Sequence, residues 1–215
     1  MTDLILHGYW RSGTSYRTRI ALGLKGLRYE YRAVNLLAGE QRGHGYRSLQ
    51  PQGLVPALEV DGHVLAQSPA IIEYLEERWP EPALLPADLE QRAVVRAMAA
   101  VIGCDVHPLG NLRILQYLKG ELDAPPEAVK AWIARWIGDG FAALEVMVSH
   151  HGGAFAFGDE PGLVECYLLP QVYAAERFEV DITPYRRLRA VTERALADER
   201  IAAAHPDRQP DASLS

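Results

Sequence analysis

The chain has 215 residues, of which 48% are hydrophobic, so it can form one large or two small domains with a sizeable core. Its 22 Lys and Arg residues stand against 28 Asp and Glu residues, a formal net charge of -6. Because no basic run occurs, we expect neither nucleic acid nor a membrane as a partner. Neither a basic-then-apolar leader nor eighteen consecutive apolar residues occur, so we expect a cytoplasmic protein.

The two cysteines, Cys104 and Cys166, lie far apart in sequence, each within an apolar helical pattern. Neither belongs to a CxxC pair or to a metal-ligand spacing. We therefore expect both to be inert core thiols, and we expect no metal site.

Residues 1–80 alternate strand and helix signals. In chain order, the patterns predict strand Leu4–His7, helix Tyr16–Lys25, strand Tyr29–Val34, strands Ala57–Val60 and His63–Ala66, and a helix opened by Ser68-Pro69. Asp61-Gly62 between the last two strands is a hairpin turn signal. The order β-α-β followed by β-β-α is typical of a thioredoxin-like α/β domain.

Residues 81–87 read as a linker, because repeated prolines end any helix there. Residues 88–215 show helical periodicity only, which predicts an all-α second domain. The expected helices are Leu89–Leu118 with a bend near Pro108, Glu127–Val148, Leu163–Ala175 and Pro184–Ala204. The polar segment from Pro206 to Ser215 is expected to be loosely held.

The loop of residues 10–15, called here the sulfur loop, joins the first strand to the first helix. Open α/β sheets bind ligands at this position, outside the carboxyl end of a strand. A thioredoxin-like redox protein would carry a cysteine pair here, but this chain has Ser12 and Thr14. The loop could therefore hold a thiol supplied by a ligand, with hydroxyl donors and the helix end favouring the thiolate. The alternative is that these residues only cap the helix.

Two further segments fit a peptide-like ligand. A cis bond between Val55 and Pro56 would turn the Val55 backbone toward the sulfur loop, so that its N–H and C=O could pair with the ligand. Gln67 and Ser68 place an amide and a hydroxyl at a helix N-terminus, which suits a carboxylate. Together these features describe a site for a tripeptide that carries a thiol.

With these residues, the chain resembles a cytosolic glutathione transferase of the zeta class, which includes maleylacetoacetate and maleylpyruvate isomerases. The resemblance covers nearly the whole chain. It is carried by residues 11–22, by residues 67–77, by Pro170-Gln171-Val172 with Ala175-Glu176-Arg177-Phe178, and by residues 205–211. It implies the glutathione-transferase fold, glutathione as cofactor and a homodimer.

The resemblance also assigns roles to single residues. Ser12 would donate its hydroxyl to the glutathione sulfur, Val55 would pair with the cysteinyl backbone, and Gln67 and Ser68 would hold the γ-glutamyl end. The other residues that it places at the glutathione site are Gly13, Thr14, Gln41, His107, Asn111 and Arg113.

Two positions depart from the family pattern. Many zeta members have Ser-Ser-Cys where this chain has Ser12-Gly13-Thr14, so a hydroxyl replaces a thiol at the third position. Gly162 stands where the fold usually has a Ser or Thr that caps a helix. We expect Glu165 still to reach back to the Gly162 backbone, at a small cost in stability.

The resemblance implies the isomerisation of a small maleyl dicarboxylate, maleylacetoacetate or maleylpyruvate, in the breakdown of aromatic compounds, including aromatic amino acids. A thiolate at Ser12 would add to the alkene, allow rotation and then leave, giving the fumaryl isomer. Arg11 and Arg177 are expected to hold the two carboxylates, with Arg113 as a third cation. Each arginine could instead form an ordinary ion pair, and His107 could equally be a structural histidine.

Two other functions stay open at this point. The same thiolate could serve a general glutathione transferase or an α-haloacid dehalogenase of the zeta class. A binding protein without catalytic activity could also use this fold, but the presence of Ser12, Val55, Gln67 and Ser68 argues against it.

Overall fold

A computed structural model describes residues 3–212 of the chain and divides them into two compact units. The first unit holds the described residues up to Leu84 together with those from Asp198 onward, and the second spans Leu85–Ala197. The predicted helical domain ran from residue 88 to residue 215. The structure differs from that prediction, because the segment after Ala197 groups with the first unit.

The first unit is built on a four-stranded mixed sheet in the order β2-β1-β3-β4. Its strands are β1 (Leu4–Gly8), β2 (Glu30–Ala33), β3 (Ala57–Val60) and β4 (His63–Ala66). β1 pairs with β2 in parallel and with β3 in antiparallel fashion, and β3 and β4 form a hairpin. Asp61 and Gly62 in its turn have φ values of 48° and 79°. A two-residue type I′ hairpin turn requires positive φ at both of these positions. The predicted thioredoxin-like α/β fold is confirmed.

The helices alternate with these strands in the first unit and make up the second. In chain order they are α1 (Gly13–Leu24), α2 (His44–Leu49), α3 (Ser68–Arg78), α4 (Leu89–Ala100), α5 (Leu112–Gly120), α6 (Pro126–His151), α7 (Leu163–Arg177), α8 (Arg186–Leu196) and α9 (Glu199–Ala202). Short 3₁₀ segments cover Glu40–Arg42, His107–Gly110 and Pro206–Arg208. The α2 helix and the 3₁₀ turn before it were not predicted.

The C-terminal segment packs against the first unit. A Cβ atom at Gly23 of α1 would collide with the backbone oxygen of Arg200, so the glycine permits this close approach. Beyond α9, Pro206, Gln209 and Asp211 are buried, and the Gln209 amide donates to the Ala203 and His205 carbonyls at 3.1 and 2.9 Å. The expectation of a loosely held tail is therefore wrong for residues 206–212, while residues 213–215 lie outside the described part.

The second unit is helical throughout its regular structure. Between α4 and α5, a π-helical turn over Val101–Val106 and the 3₁₀ segment replace regular α-helix, which confirms the predicted bend near Pro108. The α7 helix begins after Gly162, whose N–H donates to Glu165 Oε2 at 2.8 Å. The other oxygen of Glu165 accepts from the Ala156 N–H at 2.8 Å. The predicted backward contact of Glu165 is confirmed.

The two cysteines differ in exposure. Cys166 is buried on α7, and its Sγ lies 3.5 Å from the Gly162 carbonyl oxygen. Cys104 is exposed on the π-helical turn, so the expectation that it is a core residue is wrong. A π turn adds one residue per turn and rotates the side chains away from their α-helical positions, which a 3.6-residue pattern does not anticipate.

The helical run Leu89–Gly120 is long and apolar enough, by length and composition alone, to cross a membrane. Core helices of ordinary globular proteins meet the same criterion. Asp105 lies in its middle third and Arg96 lies nearer its start, and a bilayer would make such charged groups costly. We therefore interpret the run as part of the helical unit.

Candidate active site

Ser12 is the N-cap of α1 and is half-buried. Its backbone is extended, and its Oγ accepts a hydrogen bond from the Ser15 N–H at 3.3 Å. Ser12 therefore caps the helix, as the alternative interpretation of the sequence proposed. The cap does not prevent a catalytic role, because a hydroxyl that accepts one hydrogen bond keeps its own proton to donate.

The Ser12 proton belongs to a short chain of hydroxyl groups. Thr14 Oγ1 lies 3.0 Å from Ser12 Oγ and donates to the Val55 carbonyl oxygen at 2.8 Å. Since the single Thr14 proton is used on Val55, Ser12 is the donor between the two hydroxyls. A bound thiolate would be a stronger acceptor than Thr14 and could take the Ser12 proton over.

The N-terminus of α1 adds a favourable field for an anion. Gly13 is the first residue of the helix, and no acidic residue occurs in its first turn. The backbone N–H groups there carry a partial positive charge. Hydroxyl donor and helix end therefore act in the same direction on a thiol bound at Ser12.

The segment before β3 lies beside this loop. The Val55–Pro56 peptide bond is cis, as predicted. The Val55 carbonyl already accepts from Thr14, although the sequence suggested that it would pair with a ligand. Its N–H group meets no acceptor within residues 3–212. The donor of Val55 is thus the group left for a peptide-like ligand.

Gln67 is the N-cap of α3, Ser68 is its first residue, and Gln67 has an unusual backbone conformation. Gln67 has a φ of 69°, a left-handed value that costs a non-glycine residue about 1–3 kcal/mol. Its exposed side-chain amide donates to Gln52 Oε1 at 2.6 Å. The hydroxyl of Ser68 is buried at the helix N-terminus. Backbone strain of this kind is typical of positions selected for binding.

Arg17 lies beneath Ser68 and was missed by the sequence analysis. Only 2% of it is exposed, and its Nη1 donates to Ser68 Oγ at 3.1 Å. Ser68 therefore keeps its own proton for a carboxylate, and a buried guanidinium adds positive charge behind it. An arginine on a helix is usually solvated, so the sequence pattern held no signal for this position.

Two buried amide oxygens lie in the same unit. The Oε1 atoms of Gln41 and Gln50 have no hydrogen-bond partner in the described part of the chain, although both residues are buried. Gly53 has a φ of 64°, and a Cβ atom there would lie 2.7 Å from the Gln41 carbonyl oxygen. The glycine thus lets the 50–53 segment approach Gln41 closely.

These groups fit glutathione. A hydroxyl at a helix end suits its thiol, the Val55 N–H suits its peptide backbone, and Ser68 over Arg17 suits its γ-glutamyl carboxylate. The side-chain oxygen Oε1 of Gln41 could accept a hydrogen bond from a further N–H group of the ligand. Buried polar groups normally have partners, so an acceptor left over in this unit fits a ligand that supplies a donor.

The remaining candidates are more exposed. Arg11 in the sulfur loop is half-buried, with its guanidinium carbon 5.1 Å from the Trp10 ring centroid.

The other candidates belong to the second unit. His107 opens the 3₁₀ segment. Asn111 caps α5, and its Oδ1 accepts from the Arg113 N–H at 3.3 Å. Arg113 is exposed. Arg177 is also exposed, and its guanidinium carbon lies 4.5 Å from the Phe178 ring centroid.

Comparison with known proteins places the chain in a family. Residues 11–78 match the family model of the glutathione S-transferase N-terminal domain. A maleylacetoacetate isomerase of Pseudomonas aeruginosa is 51% identical over 209 residues, covering 96% of this chain and 97% of that protein.

Two solved structures are similar along nearly their whole length. The holo structure of a bacterial maleylpyruvate isomerase, a zeta-class glutathione transferase, has a TM-score of 0.94 at 50% identity and covers 96% of this chain and 99% of its own. A maleylacetoacetate isomerase from Anaeromyxobacter dehalogenans with glutathione in its active site has a TM-score of 0.90 at 48% identity, covering 98% of each chain. The chain therefore belongs to the zeta class of the glutathione S-transferase family, together with the maleylpyruvate and maleylacetoacetate isomerases.

Proposed function

We propose that this chain is a glutathione-dependent cis-trans isomerase that converts a maleyl dicarboxylate, maleylacetoacetate or maleylpyruvate, into its fumaryl isomer. The observation that carries the proposal is the Ser12 hydroxyl, which caps α1 and still has a proton to donate. Relatives of similar length with about half their residues identical are isomerases of these two substrates.

When bound, glutathione supplies a thiolate that adds to the maleyl double bond and leaves after rotation. Ser12 donates its proton to this sulfur, and the N-terminus of α1 stabilises the negative charge. Lowering the pKa of a thiol by two units requires about 2.7 kcal/mol of preference for the thiolate, which a hydroxyl donor and a helix end can supply. Thr14 holds the Ser12 hydroxyl in place through its own bond to Val55.

The cofactor contacts that the structure supports come from the first unit. The Val55 N–H binds the cysteinyl backbone, while Gln67 and Ser68 bind the γ-glutamyl end, with Arg17 behind Ser68. Gln41 lies by the glycyl end. The roles of Gly13, Asn111 and His107 at the cofactor follow from the family resemblance.

The substrate carboxylates are assigned to arginines. Arg11 directly precedes Ser12 in the sulfur loop, so we assign one carboxylate to it. Arg177 takes the second carboxylate and Arg113 serves as a further cation. A guanidinium binds a carboxylate through two parallel hydrogen bonds, which fixes the orientation of the substrate as well as its charge.

The test is glutathione-dependent conversion of maleylpyruvate and of maleylacetoacetate by the wild type and by Ser12→Ala. We expect the variant to lose about 100- to 1000-fold in kcat, the usual effect of removing one donor to a developing anion. Ser48→Ala is the matched control, because the exposed Ser48 hydroxyl donates to the Gly45 carbonyl outside the site. Wild-type activity in Ser12→Ala would contradict the proposal.

A second candidate is a general transferase or an α-haloacid dehalogenase, since the same thiolate could attack other electrophiles. Turnover of chlorodinitrobenzene or a haloacid above that of both maleyl substrates would favour it. A binding protein without activity would bind glutathione yet convert none of these compounds.

We place the enzyme in the cytoplasm, as a homodimer, in the breakdown of aromatic compounds. The homodimer follows from the family resemblance described above. Sedimentation at micromolar concentration should give twice the mass of one chain.

A further inference from the structure

A buried carboxylate from the C-terminal segment reaches the sulfur loop. Asp211 is 5% exposed, and its Oδ2 accepts hydrogen bonds from the Trp10 N–H at 2.9 Å and from the Tyr31 hydroxyl at 3.2 Å. Burial raises the pKa of Tyr31, so this hydroxyl keeps its proton at working pH. The contact links two positions that lie 201 residues apart.

The other backbone group of Trp10 is held by Arg19. This arginine is 1% exposed, and its Nη2 donates to the Trp10 carbonyl at 2.9 Å. Its Nε donates to the Ala204 carbonyl at 2.9 Å, so Arg19 also binds the C-terminal segment. Both polar backbone groups of Trp10 are therefore fixed by buried, oppositely charged side chains.

The reacting groups follow Trp10 directly. Arg11 and Ser12 are the next two residues, and the Ser12 N–H donates to the Tyr9 carbonyl at 3.0 Å. Any rotation of the Trp10 peptide would thus move the Ser12 hydroxyl. A displacement of about 1 Å at a reacting group can cost about 100-fold in rate.

We propose that Asp211 is a positioning residue for the isomerase, which acts through the Trp10 backbone to aim the Ser12 hydroxyl at the glutathione sulfur. The C-terminal segment is then part of the active-site framework. The proposal rests on the function proposed above.

The experiment compares Asp211→Ala and Asp211→Asn with the full-length wild type in the presence of glutathione. Titration of the bound thiol by the ultraviolet absorbance of its thiolate gives its pKa, and steady-state kinetics give kcat and KM. For Asp211→Ala we expect the thiol pKa to rise by about one unit, a tenfold change in the thiolate equilibrium, with about a tenfold lower kcat at a pH below the thiol pKa. The KM for glutathione should change less than about threefold, because the other binding groups remain.

Asp211→Asn separates the effect of the hydrogen bond to Trp10 from the effect of the negative charge. The amide oxygen still accepts from the Trp10 N–H, so we expect less than about a third of the pKa shift seen for alanine. The matched control is Asp207→Ala in the same segment, whose carboxylate is exposed and lies 3.7 Å from His205. It should match the wild type in thiol pKa and kcat.

A purely structural role would lower the melting temperature of Asp211→Ala and leave the thiol pKa and kcat at wild-type values; this result overturns the proposal. If Asp211→Ala does not fold, Tyr31→Phe removes one of the two donors to the carboxylate and should raise the thiol pKa by a few tenths of a unit. No shift in that variant would overturn the proposal equally. A wild type that binds no glutathione would refute the proposed function, which is a distinguishable result.

Discussion

The two units hold their candidate residues in different ways. In the thioredoxin-like unit, the residues proposed to bind glutathione are joined by direct hydrogen bonds: Ser12 to Thr14, Thr14 to Val55, and Arg17 to Ser68. In the helical unit, Arg113 and Arg177 are exposed side chains on helices.

This contrast suggests a division of labour. The thioredoxin-like unit fixes its donors before the ligand arrives, which reduces the entropy lost on binding. Arginines at the surface have long side chains that can adapt to substrates whose distal chains differ in length. Variants at Ser12, Thr14 and Ser68 should therefore alter glutathione affinity or thiol ionisation, and a variant at Arg177 should alter substrate conversion alone.

After Ser12→Ala, the largest effect is expected for Ser68→Ala. The variant removes a hydroxyl from the proposed γ-glutamyl carboxylate and one acceptor from the buried Arg17. A hydrogen bond to a charged group is worth about 1.5–3 kcal/mol, so the KM for glutathione should rise about 30-fold with little change in kcat. Steady-state kinetics measure both values, and Ser68→Thr, which keeps the hydroxyl, should recover much of the affinity. A lower kcat at an unchanged KM for glutathione would show that Ser68 does not act through glutathione affinity, and it would contradict the proposed contrast between the two units.

Arg177→Ala should lower kcat/KM for the maleyl substrate by about tenfold, the loss of one charge-assisted contact at an exposed site. The KM for glutathione should stay within about twofold of the wild type. Arg135→Ala is the control, because Arg135 is also exposed and forms an ion pair with Asp139 one helical turn away. Equal conversion by both variants would remove Arg177 from the substrate site.

Gln67→Gly should change stability and binding in opposite directions. Glycine relieves the positive φ of 69°, so the free energy of unfolding should rise by about 1 kcal/mol. Loss of the side-chain amide should raise the KM for glutathione about fivefold. Urea unfolding and kinetics report the two effects; lower stability would mean that the contact with Gln52 outweighs the strain.

The smallest effect is expected for Thr14→Val, which keeps the shape of the side chain but removes its hydroxyl. Ser12 loses its neighbour and the Val55 carbonyl loses a donor. We expect the kcat to fall about threefold and the thiol pKa to rise by a few tenths of a unit, because Ser12 itself remains. Thr14→Ser should restore the wild-type titration. A change as large as that of Ser12→Ala would make Thr14 the principal donor.

Local signals were sufficient for much of the first unit. Strands β3 and β4 have the predicted bounds, and Asp61-Gly62 forms the predicted turn, because hairpin pairing depends on adjacent residues. The Ser12 cap is equally local. The roles of Arg17 and Asp211 were not predicted, since both depend on partners at least 51 positions away.

By itself, the sequence determined the thioredoxin-like order, the helical second part and the sulfur loop without cysteine, because periodicity, turns and caps act over a few residues. Only the tertiary structure decided that Cys104 is exposed, that Thr14 occupies the Val55 carbonyl, and that the last described residues return to the first unit. Burial of a polar tail requires partners for each buried group. Those partners, Trp10 and Tyr31 for Asp211, come together only when the chain has folded.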